Sequence, residues 1–141
     1  MKSQSIVIVL ALATVLVAGG CQYIRKVTYP PEFVYLEADQ IRGSMRDLAV
    51  SVDRLDRTLA DAVLSDDERS RRVQAELAAM DRISAGLGAG PSPTNHLLID
   101  RHIDRFRTDL AAARDAAAAD PPRYHLAGRI IGSCTACHVL R

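Results

Sequence analysis

Ile41-Arg42-Gly43-Ser44-Met45-Arg46-Asp47-Leu48-Ala49-Val50-Ser51-Val52-Asp53-Arg54-Leu55-Asp56-Arg57-Thr58-Leu59 is the stretch that decides the fold. Ile41, Met45, Leu48, Val52, Leu55 and Leu59 recur at spacings of 4, 3, 4, 3 and 4, and Ala62/Val63 continue the series. Arg and Asp fill the other positions. An apolar stripe with a period of about 3.5 residues is the pattern of a helix that buries one face in a bundle. It predicts helix from Phe33 to about Leu64.

The pattern repeats on both sides of short breaks. Ser65-Asp66-Asp67-Glu68 reads as a capping box, in which a serine hydroxyl answers free N–H groups of the first turn. It opens a second helix with Val73, Leu77, Met80 and Ile83 inward, and Gly86, Gly88, Gly90 and Pro91 end it. Ser92-Pro93 reads as cap and first-turn proline of a third helix running to about Ala119. Its stripe is Ile99, Ile103, Phe106, Leu110, Ala113 and Ala117, and its alanine-rich second half allows close helix approach. Asp120-Pro121-Pro122 breaks it, with Asp120 as the expected N-cap of a fourth helix. That helix carries Ala127, Ile130, Ile131, Cys134, Cys137 and His138. Four such helices, short turns and no strand pattern predict an all-α, antiparallel up-down-up-down four-helix bundle.

The fourth helix also carries Cys134-Thr135-Ala136-Cys137-His138, a C-x-x-C-H motif, which is the attachment signature of c-type haem. Two thiols add across the haem vinyl groups, and His138 offers an imidazole nitrogen to the iron. On a helix, positions i, i+3 and i+4 share one face. The other readings of C-x-x-C are a redox dithiol and half of a zinc site. A four-ligand zinc site needs a second close Cys or His pair, and there is no second C-x-x-C. A thioredoxin-like motif would follow a strand, and no strand pattern is present. One covalent haem c at one end of the bundle is therefore expected, held by Cys134 and Cys137 with His138 on the iron. With no Trp, two Phe and four Tyr, the chain is poor in large core side chains, and the haem would supply much of the missing core area.

Ile6 to Val17 is a run of apolar and small residues with one Thr, after Lys2. It is too short for a comfortable membrane span and suits the apolar region of a signal peptide. Val17-Ala18-Gly19-Gly20-Cys21 resembles a bacterial lipobox, which implies cleavage before Cys21 and acylation of its thiol. Gln22, rather than Asp, follows it, which in Gram-negative lipoproteins favours the outer membrane. Ordinary secretion into the soluble periplasm is the alternative. The expected domains are a signal peptide over 1–20, a lipid-anchored tether over 21–32 and the haem domain over 33–141. The three cysteines are then all assigned, and none is left for a disulfide. Export agrees with c-type haem attachment, which occurs outside the cytoplasmic membrane. The 18 Lys+Arg and 17 Asp+Glu nearly cancel without a block of one sign, so nothing points to nucleic acid.

The ligand opposite His138 stays open at this stage. The expected topology brings Met45, Met80 and the His96/His102 pair to the same end. Met45 lies on the inward stripe of helix one, where a thioether could ligate iron, although methionine on such a stripe is commonly plain core. His102 lies one position off its stripe, His96 in the first helical turn, and Met80 reads as core. His125 falls at the far end and is expected to be exposed.

A four-helix chain of this size with C-x-x-C-H in its last helix resembles the class II cytochromes c. That family includes cytochrome c prime and a low-spin, Met-ligated branch, and the resemblance covers residues 33–141. In the low-spin branch an Arg precedes the ligating Met in the first helix, and Arg42-Gly43-Ser44-Met45 is similar to that motif. The resemblance implies Met45 as the sixth iron ligand and Arg42 as a partner of a haem propionate. Relatives carry an Arg four residues after the haem His, whereas Arg141 stands three after His138. Many relatives are soluble, and many are homodimers through helix faces.

The expected function is a membrane-anchored cytochrome that carries single electrons between redox partner proteins on the periplasmic side of a bacterial membrane. It is not expected to be an enzyme, since no acid, base and nucleophile constellation is visible. A five-coordinate haem binding nitric oxide or another small gas is the alternative. A haem-free lipoprotein using its C-x-x-C for thiol or metal chemistry is the third reading.

Overall fold

The computed structural model describes residues 32–88 and 92–138, excluding the side chains of Ala136 and Cys137. The expected signal peptide, most of the tether, Cys21, the Cys137 thiol and Arg141 lie outside the described residues. One compact unit begins at Val34. It is all-α: α1 is Ala38–Ala60, α2 Asp66–Ala85, α3 Leu97–Ala117, α4 His125–Gly132 and α5 Cys134–His138. The last two are one helical run interrupted at Ser133, so there are four helical runs and no strand among the described residues, compatible with a four-helix bundle. α1 packs on α2, α2 on α3, α3 on α4, and α4 back on α1.

The sequence stripes become the core. Leu55, Val73, Leu77, Met80, Leu110, Ala113, Ala117, Ala127 and Ile130 form one buried cluster, flanked by Leu48, Val52, Leu59 and Phe106. Alanine at 113, 117 and 127 lets α3 and α4 approach closely, as the small side chains suggested. A second, smaller cluster joins Leu36, Leu87 and Ile99, with Ile41, Met45, Leu48 and Ile103 packed against it. It draws on the start of α1, the turn after α2 and the start of α3.

Hydrogen bonds between elements place their ends. Gln40 Nε2 donates to the Gly86 carbonyl at 2.9 Å, tying the first turn of α1 to the end of α2. Arg69 donates to the Leu59 and Leu64 carbonyls at 3.1 and 3.2 Å, tying the end of α1 to the start of α2. Ser70 Oγ donates to the Ala117 carbonyl at 2.7 Å, and Tyr124 Oη to that of Asp66 at 3.2 Å. Arg107 of α3 pairs with Asp81 of α2 at 2.9 Å.

Helix boundaries follow local chemistry, and several differ from expectation. α1 begins at Ala38 rather than Phe33, because residues 34–36 run extended beside residues 93–95. Val34 N–H donates to the Pro93 carbonyl at 3.0 Å, and Asn95 clasps Leu36 through both its N–H and its carbonyl. Pro93 is thereby held in a backbone pairing, so α3 starts at Leu97 with His96 as N-cap, not at Pro93. Asp100 reinforces this by accepting from the Thr94 N–H at 3.1 Å. α1 ends at Ala60, and Asp61 Oδ1 accepts from Val63 N–H at 2.9 Å in an Asx turn, leaving Val63 94% exposed rather than on the stripe. α4 begins at His125, with Tyr124 and not Asp120 as N-cap, because Arg123 N–H first returns to the Ala116 carbonyl. Gly88 sits at φ 101°, and a Cβ there would meet Thr94 Cγ2 at 3.0 Å, so both conformation and space require glycine at this turn.

The cap at Ser65 forms as expected, with Ser65 Oγ accepting from Glu68 N–H. Only half of the reciprocal box is made, since the Glu68 carboxylate binds Arg72 and Arg71 instead. Those two hydrogen bonds lower the Glu68 pKa, Arg72 first. The folded state thus holds this carboxylate ionised, a small contribution present above the ordinary Glu range and lost as pH falls through the lowered value. Ser65→Ala is expected to cost about 1 kcal/mol in chemical denaturation, because the Glu68 N–H loses its acceptor.

Candidate haem site

The motif helix is short and comes after a break with a sequence cause. Gly128 and Gly132 weaken the helix, and Ser133 Oγ and Thr135 Oγ1 donate back to the Arg129 and Gly132 carbonyls at 3.3 and 2.8 Å. The chain turns at Ser133, where the expectation was continuous helix, and resumes as α5, packed on α3 and α4. Cys134 and His138 occupy the first and last positions of α5, four residues apart on one face. Cys134 is exposed and in no disulfide among the described residues, and His138 is also exposed.

Met45 lies on α1, half-buried against Leu36, Leu87 and Ile99. Ile41, Leu48 and Ile103 are likewise only partly covered. Among the described residues, the second cluster thus ends in apolar side chains that are only partly covered. Met80 is completely buried in the main cluster, which makes it core, as the sequence suggested. His102, whose burial the sequence left open, is partly buried on α3, and His125 is exposed at the start of α4, as expected.

Arg42 is exposed and ion-paired with Asp39 one turn earlier on α1. An exposed pair of this kind is worth roughly 0–1 kcal/mol, too little to hold the guanidinium against a better carboxylate.

His96 is the residue that the sequence undervalued. It caps α3 beside the second cluster, and its Nδ1 is buried with no hydrogen-bond partner among the described residues. Its signal in the sequence was proximity to Ile99, obscured by placing the helix start at Pro93.

No protein-family model, curated protein or solved structure matches this chain. The functional reading therefore rests on the residues themselves. Two surface grooves, of 320 and 500 Å³, lie between α1 and α2 and between α2 and α3, lined by residues such as Arg54 and Arg72 or Arg107 and Arg114. Neither includes Met45, Cys134 or His138. No group of three or more His, Cys, Asp and Glu side chains could hold a metal ion among the described residues. The donor set that remains is the two thiols and the imidazole of C-x-x-C-H, on a helix that packs against α3 and α4. That set fits haem c: thiols for covalent attachment and imidazole for iron.

Proposed function

We propose that this protein is a c-type cytochrome that carries single electrons through one haem held by Cys134 and Cys137, with His138 and Met45 on the iron. The observation that carries the reading is the C-x-x-C-H motif on a short exposed helix at the end of a helical bundle. The ends of the helices support an antiparallel up-down-up-down arrangement, since α1 and α2 are tied at Gln40/Gly86 and Leu59/Arg69. α4 starts where α3 ends, at the Arg123–Ala116 hydrogen bond. From there, 14 residues of mostly helical rise carry the chain roughly 20 Å back along α3, to the level of Ile103 and the Met45 cluster. On this reading His138 and Met45 would meet one iron from α5 and α1.

A haem bound here, its iron held by His138 and Met45, would supply a one-electron couple. The chain's own residues do the rest. Met45 offers a soft thioether, which favours the reduced state. Ile41, Leu48 and Ile103 exclude water from one side. Arg42, now paired with Asp39, would hold a propionate carboxylate, to which a guanidinium is well suited. No general acid or base is needed. The N-terminal segment acts as signal and lipid anchor through Cys21 on the periplasmic face of a membrane, which keeps the carrier near its redox partners. No helix of the described residues is long and apolar enough to cross a membrane.

The half-buried state of Met45 within an apolar cluster also suits a second reading, in which it shields an open, gas-binding iron. Absorption and electron paramagnetic resonance spectra of the matured ferric protein separate the two. The expected result is a low-spin signal with a methionine–iron charge-transfer band, and a ferrous form slow to bind carbon monoxide. A high-spin ferric protein that binds carbon monoxide at once would replace electron transfer by gas binding.

A further inference from the structure

The start of α3 exposes more apolar surface than any haem site would explain. Leu97 is 67% and Leu98 41% exposed, and both fall in the first turn. The inward stripe of this helix is Ile99, Ile103, Phe106 and Leu110. At 100° per residue Leu97 lies roughly 150° around from that stripe, on the outer face. A cofactor seated against Ile103 and Met45 leaves Leu97 uncovered. Residues 34–36 run beside residues 93–95, which adds the exposed Val34 and Tyr35 to the same end.

Two further features say what this surface meets. Leu97, Arg101 and Arg105 stand four residues apart on the outer face, so an apolar tip is backed by two exposed guanidinium groups. Arg105 is 83% exposed and only loosely paired, at 4.0 Å from Asp109. Asp104 shares the face, and Asp100 beside it is occupied by the Thr94 N–H. The second feature is the point of chain entry. Val34, hydrogen-bonded to Pro93, is the first residue of the compact unit, and Cys21 stands 13 residues before it, a span of at most about 45 Å. A lipid on Cys21 would thus join the compact unit at Val34, whose backbone pairs with residues 93–94 just before the exposed leucines.

We propose that the start of α3 is a membrane-seating face. Leu97 and Leu98, with Val34 and Tyr35, enter the interfacial layer of a phospholipid bilayer, while Arg101 and Arg105 meet anionic headgroup phosphates. Seating by this face, and not the tether alone, fixes the orientation of the domain on the membrane. The inference rests on the proposed acylation of Cys21, which the test reads separately.

Hydroxyl-radical footprinting compares lipidated holoprotein in phosphatidylcholine/phosphatidylglycerol nanodiscs with the Cys21→Ser holoprotein in solution. Oxidation of Leu97 and Leu98 is expected to fall about fivefold or more in the nanodiscs, as for side chains moved into the interface, while exposed Val63 is unchanged. Equal oxidation in both states would overturn the proposal. So would protection already complete in solution, which would mean that the tether or a second copy covers the leucines. The intact mass of membrane-purified protein reports acylation. If acyl chains are missing, the anchor reading fails, and flotation of that same protein with phosphatidylcholine/phosphatidylglycerol vesicles decides the seating face. Co-flotation supports it, and its absence overturns it.

Discussion

Met45→Ala is expected to turn the low-spin ferric spectrum of the haem-loaded protein into a high-spin one, with loss of the methionine–iron band and a lowered reduction potential. Met45 is the only thioether of the described chain outside the main core, since Met80 is completely buried there. Removing it takes away the proposed ligand and an apolar side chain packed on the second cluster with Ile41 and Ile103. The ligand role and the packing role have separate signatures. Loss of packing at a half-buried methionine lowers stability, by up to about 2 kcal/mol, and leaves the iron untouched. Loss of a ligand changes the spin state whatever happens to stability. A variant with an unchanged spectrum and a lower unfolding midpoint would make Met45 ordinary core.

Leu55→Ala is expected to have the largest effect on the fold, about 2–5 kcal/mol and so roughly 10 °C or more in melting temperature for a domain of this size. Leu55 is 0% exposed in the last third of α1, inside the cluster that joins α1 to α2, α3 and α4. Its neighbours Val73, Leu77 and Leu110 come from helices fixed at both ends by hydrogen bonds, so the cavity cannot simply close. Val63→Ala is the matched control, because that side chain is 94% exposed and its loss should stay within about 0.5 kcal/mol. Thermal melts of both variants in the haem-loaded state give the comparison.

The stripe from Ile41 to Leu59 foretold α1 and the side it turns to the core, because period and burial have one cause, a helix with a single apolar side, although only Leu55 of the stripe is fully buried and Ser51, off the stripe, is buried too. The same holds for Val73 to Met80 and for Ile99 to Ala117. Helix starts were less legible because tertiary partners decide them. Ser92-Pro93 is a sound local signal for a helix start, but the Pro93 carbonyl is engaged by Val34 and Asn95 by Leu36, some 59 residues away in the chain. No local pattern announces that pairing. The burial of Leu36 and Leu87 was missed for the same reason, since both lie outside the helices that carry the stripes. The break at Ser133 could have been read from Gly132-Ser133 with Thr135, three residues that weaken or compete with helical hydrogen bonding. For the site, the motif residues Cys134 and His138 were legible as chemistry, whereas the orphaned Nδ1 of His96 became visible only with the fold.

The most direct test of the central claim is the intact mass of the exported protein under denaturing conditions, read together with a haem stain of the same band. The account predicts a positive stain and a mass higher by one haem than that of the variant carrying Cys134→Ser and Cys137→Ser, after allowing for the two exchanges of sulfur for oxygen, with any acyl mass on Cys21 common to both, and no stain in the variant. A wild-type protein with the bare polypeptide mass, two titratable thiols and no stain would contradict it.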